Sequence, residues 1–482
     1  MSFRNKFTSP QNGISRRKFL GQASCAAIGT TTFLSSFLNL GMVNAMSAKS
    51  VRKPSPLLSP PEDYKALVCI LLAGGNDSYN MLVPSSPGVY AEYATTRSNL
   101  ALAQGDLLPL NFTDINGNQF GLHPAMPEVA NLFNDGKVAL VANVGTLIQP
   151  TTKSEILAGT APLPLGLLSH ADQIQQWQTS LPQERSSKGW GGRMADILYT
   201  LNENPDVSMS ISLSGVNTFQ TGNEIIEFAI QNSGTGSVGI AMFEETDPFN
   251  QLLTGAAQSL LNQQYSDIFK QTYRDKVINS QAQHELFSTS IEAVPPFATQ
   301  FNQENPVSKS LEMIAKTIAA QDSLGHSRQT FFVTFGGWDH HDEVLNNQMS
   351  MLGIVSQALA EFNAALEEIG QSQKVTTFTI SDFARTLGSN GNGTDHAWGG
   401  NVIVMGGSVN GGQIFGQYPS LAIGSEQEVG GGVIIPTTSA DEYFAELALW
   451  MGVPLAEFEY VLPNLQNFYD INNGQPIGFM NI

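Results

Sequence analysis

Cysteine is all but absent from this chain of 482 residues, which has only Cys25 and Cys69. Cys25 lies in an N-terminal stretch that reads as a removable signal, so Cys69 remains alone in an apolar run. One such cysteine excludes an intramolecular disulfide, and a thiol there serves packing rather than chemistry. Charge is scarce too, at 13% of residues against a typical ~25%. Asn, Gln, Ser, Thr and Gly take its place, which suits an exported protein. Positive charge is scarcest of all: 23 Lys and Arg face 42 Asp and Glu, for a net −19. Such a surface repels phosphate backbones and anionic lipid, which excludes nucleic-acid binding. Familiar catalytic signatures are also missing. There is no G-x-S-x-G elbow, no P-loop, no H-E-x-x-H and no C-x-x-C, and Gly74-Gly75 behind the first strand does not supply the G-x-G-x-x-G of a nucleotide site.

What basic charge exists is concentrated at the start. Residues 1–45 hold Arg4, Lys6, Arg16, Arg17 and Lys18 and no acid, so a chain starting at Met46 carries 18 basic against 42 acidic residues, or −24. Arg16-Arg17-Lys18-Phe19-Leu20 is followed by a mild apolar stretch to Leu40 and by Val43-Asn44-Ala45, a small-residue cleavage pattern. This is the pattern of a twin-arginine (Tat) export signal, with the Tat machinery as the expected partner and the periplasm or exterior as the destination. The stretch is broken by Gly, Thr and Ser and falls short of the ~20 apolar residues of a spanning helix, so no stable membrane anchor is expected. Export in the folded state suits a chain that takes up its metal before meeting competing ions.

Residues 46–62 read as a flexible lead-in and 63–482 as a single large α/β domain. Three apolar runs carry that expectation: Ala66–Ala73, Thr330–Phe335 and Val375–Ile380, each of buried parallel-strand type. Between the last two, Leu352, Val355, Leu359, Phe362, Leu366 and Ile369 form the stripe of a helix packed on a sheet. A strand–helix–strand crossover of this kind is parallel and right-handed. Further strands are expected at Lys137–Val144, near 207–213 and 224–230, and at Val402–Met405. Helices are expected from His123 to Asn134, from Ser169 to Thr179, after Gly189 and over Asp441–Trp450. The polar, helical stretch at about 247–325 reads as an insertion capping a mostly parallel sheet with helices on both faces.

Each of the three strands ends on groups that bind cations. Gly74-Gly75-Asn76-Asp77-Ser78 follows the first, Asp339-His340-His341 the second, and Ser381-Asp382 the third, with Asp395 and His396 delivered by a Gly/Asn loop. Open α/β sheets place their ligands at this edge. Mixed carboxylate and imidazole donors suit Zn²⁺, Mn²⁺ or Fe, whereas Mg²⁺ or Ca²⁺ would want more oxygen. The expected ligands are Asp77, Asp339, His341, Asp382 and His396, around one or two divalent ions. Asn76, His340, Asp395 and His170 are expected to support them. Ser169, at a helix start, is the candidate nucleophile, with Ser78 beside Asp77 as its rival. Both serines equally suit plain capping.

These motifs run in order across nearly the whole mature chain: LLAGGNDSYNMLVP, GLHPAMPEVANLF, SHADQIQQW, GWGGRMAD, FGGWDHH, SDFARTLGSNGNGTDHAWGG and VMGG. Together with the export signal they resemble the bacterial family called domain of unknown function 1501, which is similar to the alkaline phosphatase/sulfatase superfamily. The resemblance implies a metal-dependent phosphatase- or sulfatase-like architecture. Asp77 resembles the superfamily's first-strand metal aspartate, Asp339 and His341 its mid-chain pair, Asp382 its late aspartate and His396 its last histidine. The chain departs from the pattern in three places. Against the superfamily, the mid-chain pair is two residues apart rather than four and Phe383 follows the late aspartate where histidine is usual; against the closer family, His340 and Ala384 replace an expected Thr and Gly. The function implied is hydrolysis of phosphate, sulfate or related esters outside the cytoplasm. The alternative is a secreted binding or assembly protein that keeps the fold with a degenerate site.

Overall fold

A computed structural model describes residues 63–204, 206–238 and 248–482. The expected signal and lead-in lie outside the described residues. Twelve strands are present among the described residues: β1 Lys65–Ala73, β2 Leu82–Pro84, β3 Leu108–Thr113, β4 Gln119–Leu122, β5 Val138–Gly145, β6 Ser210–Ser212, β7 Phe228–Ala229, β8 Arg328–Gly336, β9 Val375–Ser381, β10 Gly400–Met405, β11 Ile414–Gly416 and β12 Thr438–Ser439. The longer helices are α1 Pro87–Arg97, α2 Pro127–Asn134, α3 His170–Thr179, α4 Trp190–Leu198, α5 Pro248–Leu261, α6 Ile268–Glu292, α7 Pro306–Ala319, α8 Val344–Glu368 and α9 Ala440–Met451.

Nine strands form the central sheet, in the order β11-β5-β10-β9-β1-β8-β6-β7 with β12 also on β5. β1 pairs in parallel with both β8 and β9, so Ala73 lies opposite Gly336 and Leu72 opposite Ser381. Only β10 runs against its neighbours β9 and β5. The sheet is therefore mostly parallel, and its β1, β8 and β9 chains leave along one edge.

The apolar run of β1 is continuous because both its faces are covered. Ala66, Val68, Ile70 and Leu72 join a core with α2, α7 and α8. Leu67, Cys69 and Leu71 join another with Trp177 of α3, α4 and α9. The period of two along the strand thus divides one sequence run between two helix layers. Cys69 is free and buried, and burial pushes its thiol pKa well up, as a packing residue requires. On α8 the stripe Leu352, Val355, Leu359, Phe362 and Leu366 is fully buried against the sheet.

One expectation needs correction. The helical stretch at about 247–325 is not all an insertion: α7 buries Val307, Leu311, Ile314 and Ile318 against α8 and β8 and is a layer helix. Only α5 and the first part of α6 stand outside the core. The chain also forms a small antiparallel sheet, β2-β4-β3, and the helix α1, which the pattern of the sequence does not announce.

Candidate metal centre

The three strand exits approach one another so closely that two of their residues must be glycine. Gly74 has φ +122°, and a Cβ there would lie 2.5 Å from the Asp339 nitrogen. A Cβ on Gly75, φ +87°, would meet the Phe383 ring at 2.6 Å. Only glycine accepts this backbone without strain, and it lets the ends of β1, β8 and β9 be tied together. Gly74 N–H donates to Asp382 Oδ1 at 3.0 Å, Trp338 N–H to Ala73 O at 3.1 Å, and Asn76 N–H to Ser381 Oγ at 2.9 Å.

Asp339 stands at the middle of what this edge presents. Its carboxylate lies 3.4 Å from His170 Nε2, 3.0 Å from His341 Nε2, 3.4 Å from His396 Nε2 and 2.8 Å from Arg385 Nη1. The three imidazoles share one arrangement. In each, Nδ1 is engaged by an oxygen: Asp382 Oδ2 at 2.6 Å for His170, Asp395 Oδ1 at 3.1 Å for His341, and the Leu168 carbonyl at 2.8 Å for His396. Held so, each Nδ1 can donate to that oxygen, and Nε2 is the atom that faces Asp339. That is how proteins fix a histidine for a metal. His341 and His396 Nε2 are 3.0 Å apart, a repulsive approach for two lone pairs unless a proton or a cation lies between them. His170 Nε2 is buried and has no hydrogen-bond partner. His170, Asp339 and His396 offer ligand atoms all within 4.8 Å of one another and could hold one ion, with His341 alongside.

Local structure explains the fixity. His170 is the first residue of α3, and Leu168, two residues earlier, adopts φ +72°, unusual for a leucine. The Leu168 amide is held there by Gln173 Oε1 at 2.5 Å, and its carbonyl then points at His396. Phe383 packs its ring 4.8 Å from His170 and 4.6 Å from His396, so this one side chain orients two imidazoles. Burial alone would raise the Asp339 carboxyl, but the Arg385 guanidinium, aided by His341 and His170, holds it below the usual range. Burial raises Asp382, only partly offset by the Gly74 amide and His170. The Asn390 amide and the His341 ring keep Asp395 low.

The expected site residues fall into three groups. Asp339, His341 and His396 converge as ligands would. Asp382 and His170 exchange the parts expected of them: Asp382 is buried behind His170, with both oxygens bonded inward, and His170 faces the centre. Asp77 does not join the group. It is fully buried, with one carboxylate oxygen paired to the equally buried Arg97 and the other without a hydrogen-bond partner.

The remaining positions are structural or peripheral. Asn76 is buried and accepts from Gln348 at 3.3 Å. His340 is buried beside Trp338, burial lowers its pKa, and its carbonyl accepts from Thr394 N–H at 3.1 Å, fastening the His396 loop. Ser78 is buried, and its Oγ accepts from Asn401 N–H at 2.8 Å, a link to β10. Ser169 is half-buried at the N-cap of α3, makes no capping bond and interacts with Asp172. Sequence reasoning missed Arg385, although it is the one cation in an otherwise acid- and amide-rich loop.

The family model of "Protein of unknown function (DUF1501)" matches residues 64–431. The chain belongs to this family. The match spans every group around Asp339. No curated protein matches this DUF1501 chain. Among solved structures it is similar to Ps i-CgsB in complex with k-i-k-neocarrahexaose, at 11% identity, covering 86% of this chain and 78% of that one, with a TM-score of 0.34. It is also similar to the PsFucS1 sulfatase from Pseudoalteromonas sp., at 12% identity, 82% and 68% coverage and a TM-score of 0.32. A third is the lipoteichoic acid synthase LtaP from Listeria monocytogenes, at 10% identity, 82% and 80% coverage and a TM-score of 0.29. No helix among the described residues is long and apolar enough to cross a membrane.

Proposed function

We propose that this DUF1501 protein is an exported, metal-dependent hydrolase of phosphate, sulfate or related esters. One observation carries the reading: three imidazoles, each with Nδ1 engaged by an oxygen, aim Nε2 at one carboxylate. His170, Asp339 and His396 would hold the ion, with His341 as a fourth donor, a set that suits Zn²⁺, Mn²⁺ or Fe. A divalent ion bound there supplies Lewis acidity to an ester oxygen.

The chain's own residues would do the rest. Asp382 holds the His170 proton at Nδ1 and keeps the ring aimed. Arg385 offers a second cationic group to an anionic ester. The first turn of α3 presents backbone N–H groups, and its dipole favours negative charge. Ser169 supplies a half-buried hydroxyl at that turn, next to His170 in the chain. In the hydrolysis its oxygen would bond to phosphorus or sulfur as the ester bond breaks, and water would release the product.

A second reading, a secreted binding or assembly protein on the same fold, is favoured by the guanidiniums on Asp77 and Asp339, which neutralise acids that a two-ion site would use. One experiment separates the two. Protein matured through Tat export is analysed for metal and assayed on a panel of phospho- and sulfo-esters, with Ser169→Ala and Asp339→Asn alongside. The hydrolase reading expects bound metal, turnover that Ser169→Ala abolishes at unchanged metal content, and loss of both in Asp339→Asn. Bound metal without turnover on any ester leaves the binding reading. Undiminished turnover in Ser169→Ala removes that serine from the mechanism.

A further inference from the structure

Apart from the strand-end site, α5 and the first part of α6 form an arm with no core of its own. No described side chain from Pro248 to Leu286 is buried, and Phe287 is the first that is. The arm is nevertheless a defined shape. Asp267 caps α6 by accepting from Phe269 and Lys270 N–H, each at 3.0 Å. Arg274 Nε reaches back to the Leu261 carbonyl at 2.5 Å, and Tyr265 Oη donates to the Leu260 carbonyl at 2.9 Å.

Its surface is the wrong kind for water. Leu252 is 68% exposed, Leu260 57%, Ile268 70%, Phe269 65% and Tyr273 73%. Along α5 the half-buried residues Leu253, Ala257 and Leu261 recur every four positions. The exposed Leu252, Ala256 and Leu260 form a parallel stripe one position away. Residues i and i+4 lie on one helix face. The first stripe is partly covered and the second faces out, uncovered. Helices this short gain most of their stability from packing an apolar face, so the outer stripe calls for a cover.

Charge indicates what covers it. From Pro248 to Ser266 there is no charged side chain, and from Asp267 to Lys276 three cations (Lys270, Arg274, Lys276) accompany two acids (Asp267, Asp275). The rest of the chain is strongly acidic and repels its own copies. The arm alone does not. In an antiparallel pair of arms Asp267 of each copy can meet Lys276 of the other, while the apolar stripes face. We propose that the arm is a self-association surface, through which two copies of the chain join by a two-fold, arm-to-arm contact.

Its size sets the strength. α5 spans roughly 20 Å, so the contact lies at the small end of specific interfaces, where association is reversible. The test is sedimentation of the full chain across a wide range of concentration. The expected result is a monomer–dimer equilibrium that the double variant Leu252→Glu/Leu260→Glu shifts to monomer by at least tenfold in Kd. Ile115→Glu, at a fully exposed position outside the arm, should leave the equilibrium unchanged. In a Cys25→Ser background an Ala256→Cys variant should cross-link to a dimer on mild oxidation, since Cys69 is buried. A chain that stays monomeric throughout, or a double variant that still dimerises, overturns the proposal. Monomeric protein that co-sediments with neutral phosphatidylcholine vesicles would also overturn it, in favour of a bilayer surface.

Discussion

Two aspartate–arginine pairs lie at neighbouring strand ends of the sheet, and they serve different ends. Asp77, beyond β1, is fully buried and locked to buried Arg97, whose other guanidinium nitrogen bonds the Thr386 and Leu387 carbonyls. Asp339, beyond β8, keeps 45% of its side chain exposed although Arg385 touches it, and three imidazoles face it. Position at the edge is therefore not what makes an acid a ligand. What differs is the second set of partners: the other buried oxygen of Asp77 has no hydrogen-bond partner, whereas Asp339 has three imidazole nitrogens within 3.4 Å.

The sharpest way to break this contrast is to remove each acid's charge in turn. Asp77→Asn leaves Arg97 buried and uncompensated and should cost about 3–5 kcal/mol in denaturant unfolding, with metal content unchanged. Asp339→Asn should lose bound metal, and because it also takes the carboxylate from buried Arg385 it should lower the unfolding midpoint of the metal-free protein too, though by less than Asp77→Asn, since Asp339 itself is half exposed. If Asp77→Asn emptied the site at full stability, the assignment of the two pairs would be wrong.

Next in size is the support behind His170. Asp382→Asn keeps the shape and removes the charge that fixes the ring, so metal affinity should fall about 10–100-fold by competition with a chelator. An unchanged affinity would mean that Asp382 serves the strand ends alone.

A third buried acid sharpens the comparison because its hydrogen-bond partner is a hydroxyl. Ser180 donates to Asp441 at 2.8 Å, and burial raises the Asp441 pKa to about 7, with Arg193 only partly opposing it. The unfolded chain releases this proton near pH 4 and the folded chain near 7. Between those values the folded state binds more protons, so stability falls as pH rises, then levels off. Asp441→Asn should flatten that window in thermal unfolding scans, and a slope that persists would have another source.

The smallest effect is expected far from any pair. Leu252→Glu on the arm should change the stability of the monomer by less than about 0.5 kcal/mol, because nothing there is buried. A larger loss in dilute solution would mean that the stripe packs within its own chain.

The long apolar strands, the crossover through α8 and the gathering of acids and imidazoles at one edge were all legible in the sequence. Their signals are local: strand composition, a helical stripe, and polar groups where a strand ends. The exchange of roles between Asp382 and His170 was not legible. It depends on a contact across 212 residues and on Leu168 holding a left-handed backbone, neither of which leaves a pattern. Asp77 looked like a ligand for the same reason, since only the fold brings Arg97 beneath it. The small sheet escaped because β2, β3 and β4 are short and partly polar, and packing rather than composition fixes them.

The place of β1 between β8 and β9 bears on the order in which the molecule matures. Asp339 and His341 leave β8, Asp382, Arg385 and His396 follow β9, and β1 lies between those strands, so these groups meet only once β1 has paired with both. His170 must come from the other side of the chain, and loop closure over such a distance is slow. The imidazole trio is therefore completed only when α3 has docked. An ion that needs His170 would then be captured late, by chains already folded. Retained metal in an exported sample would serve as a stamp that folding had finished before the chain left the cell.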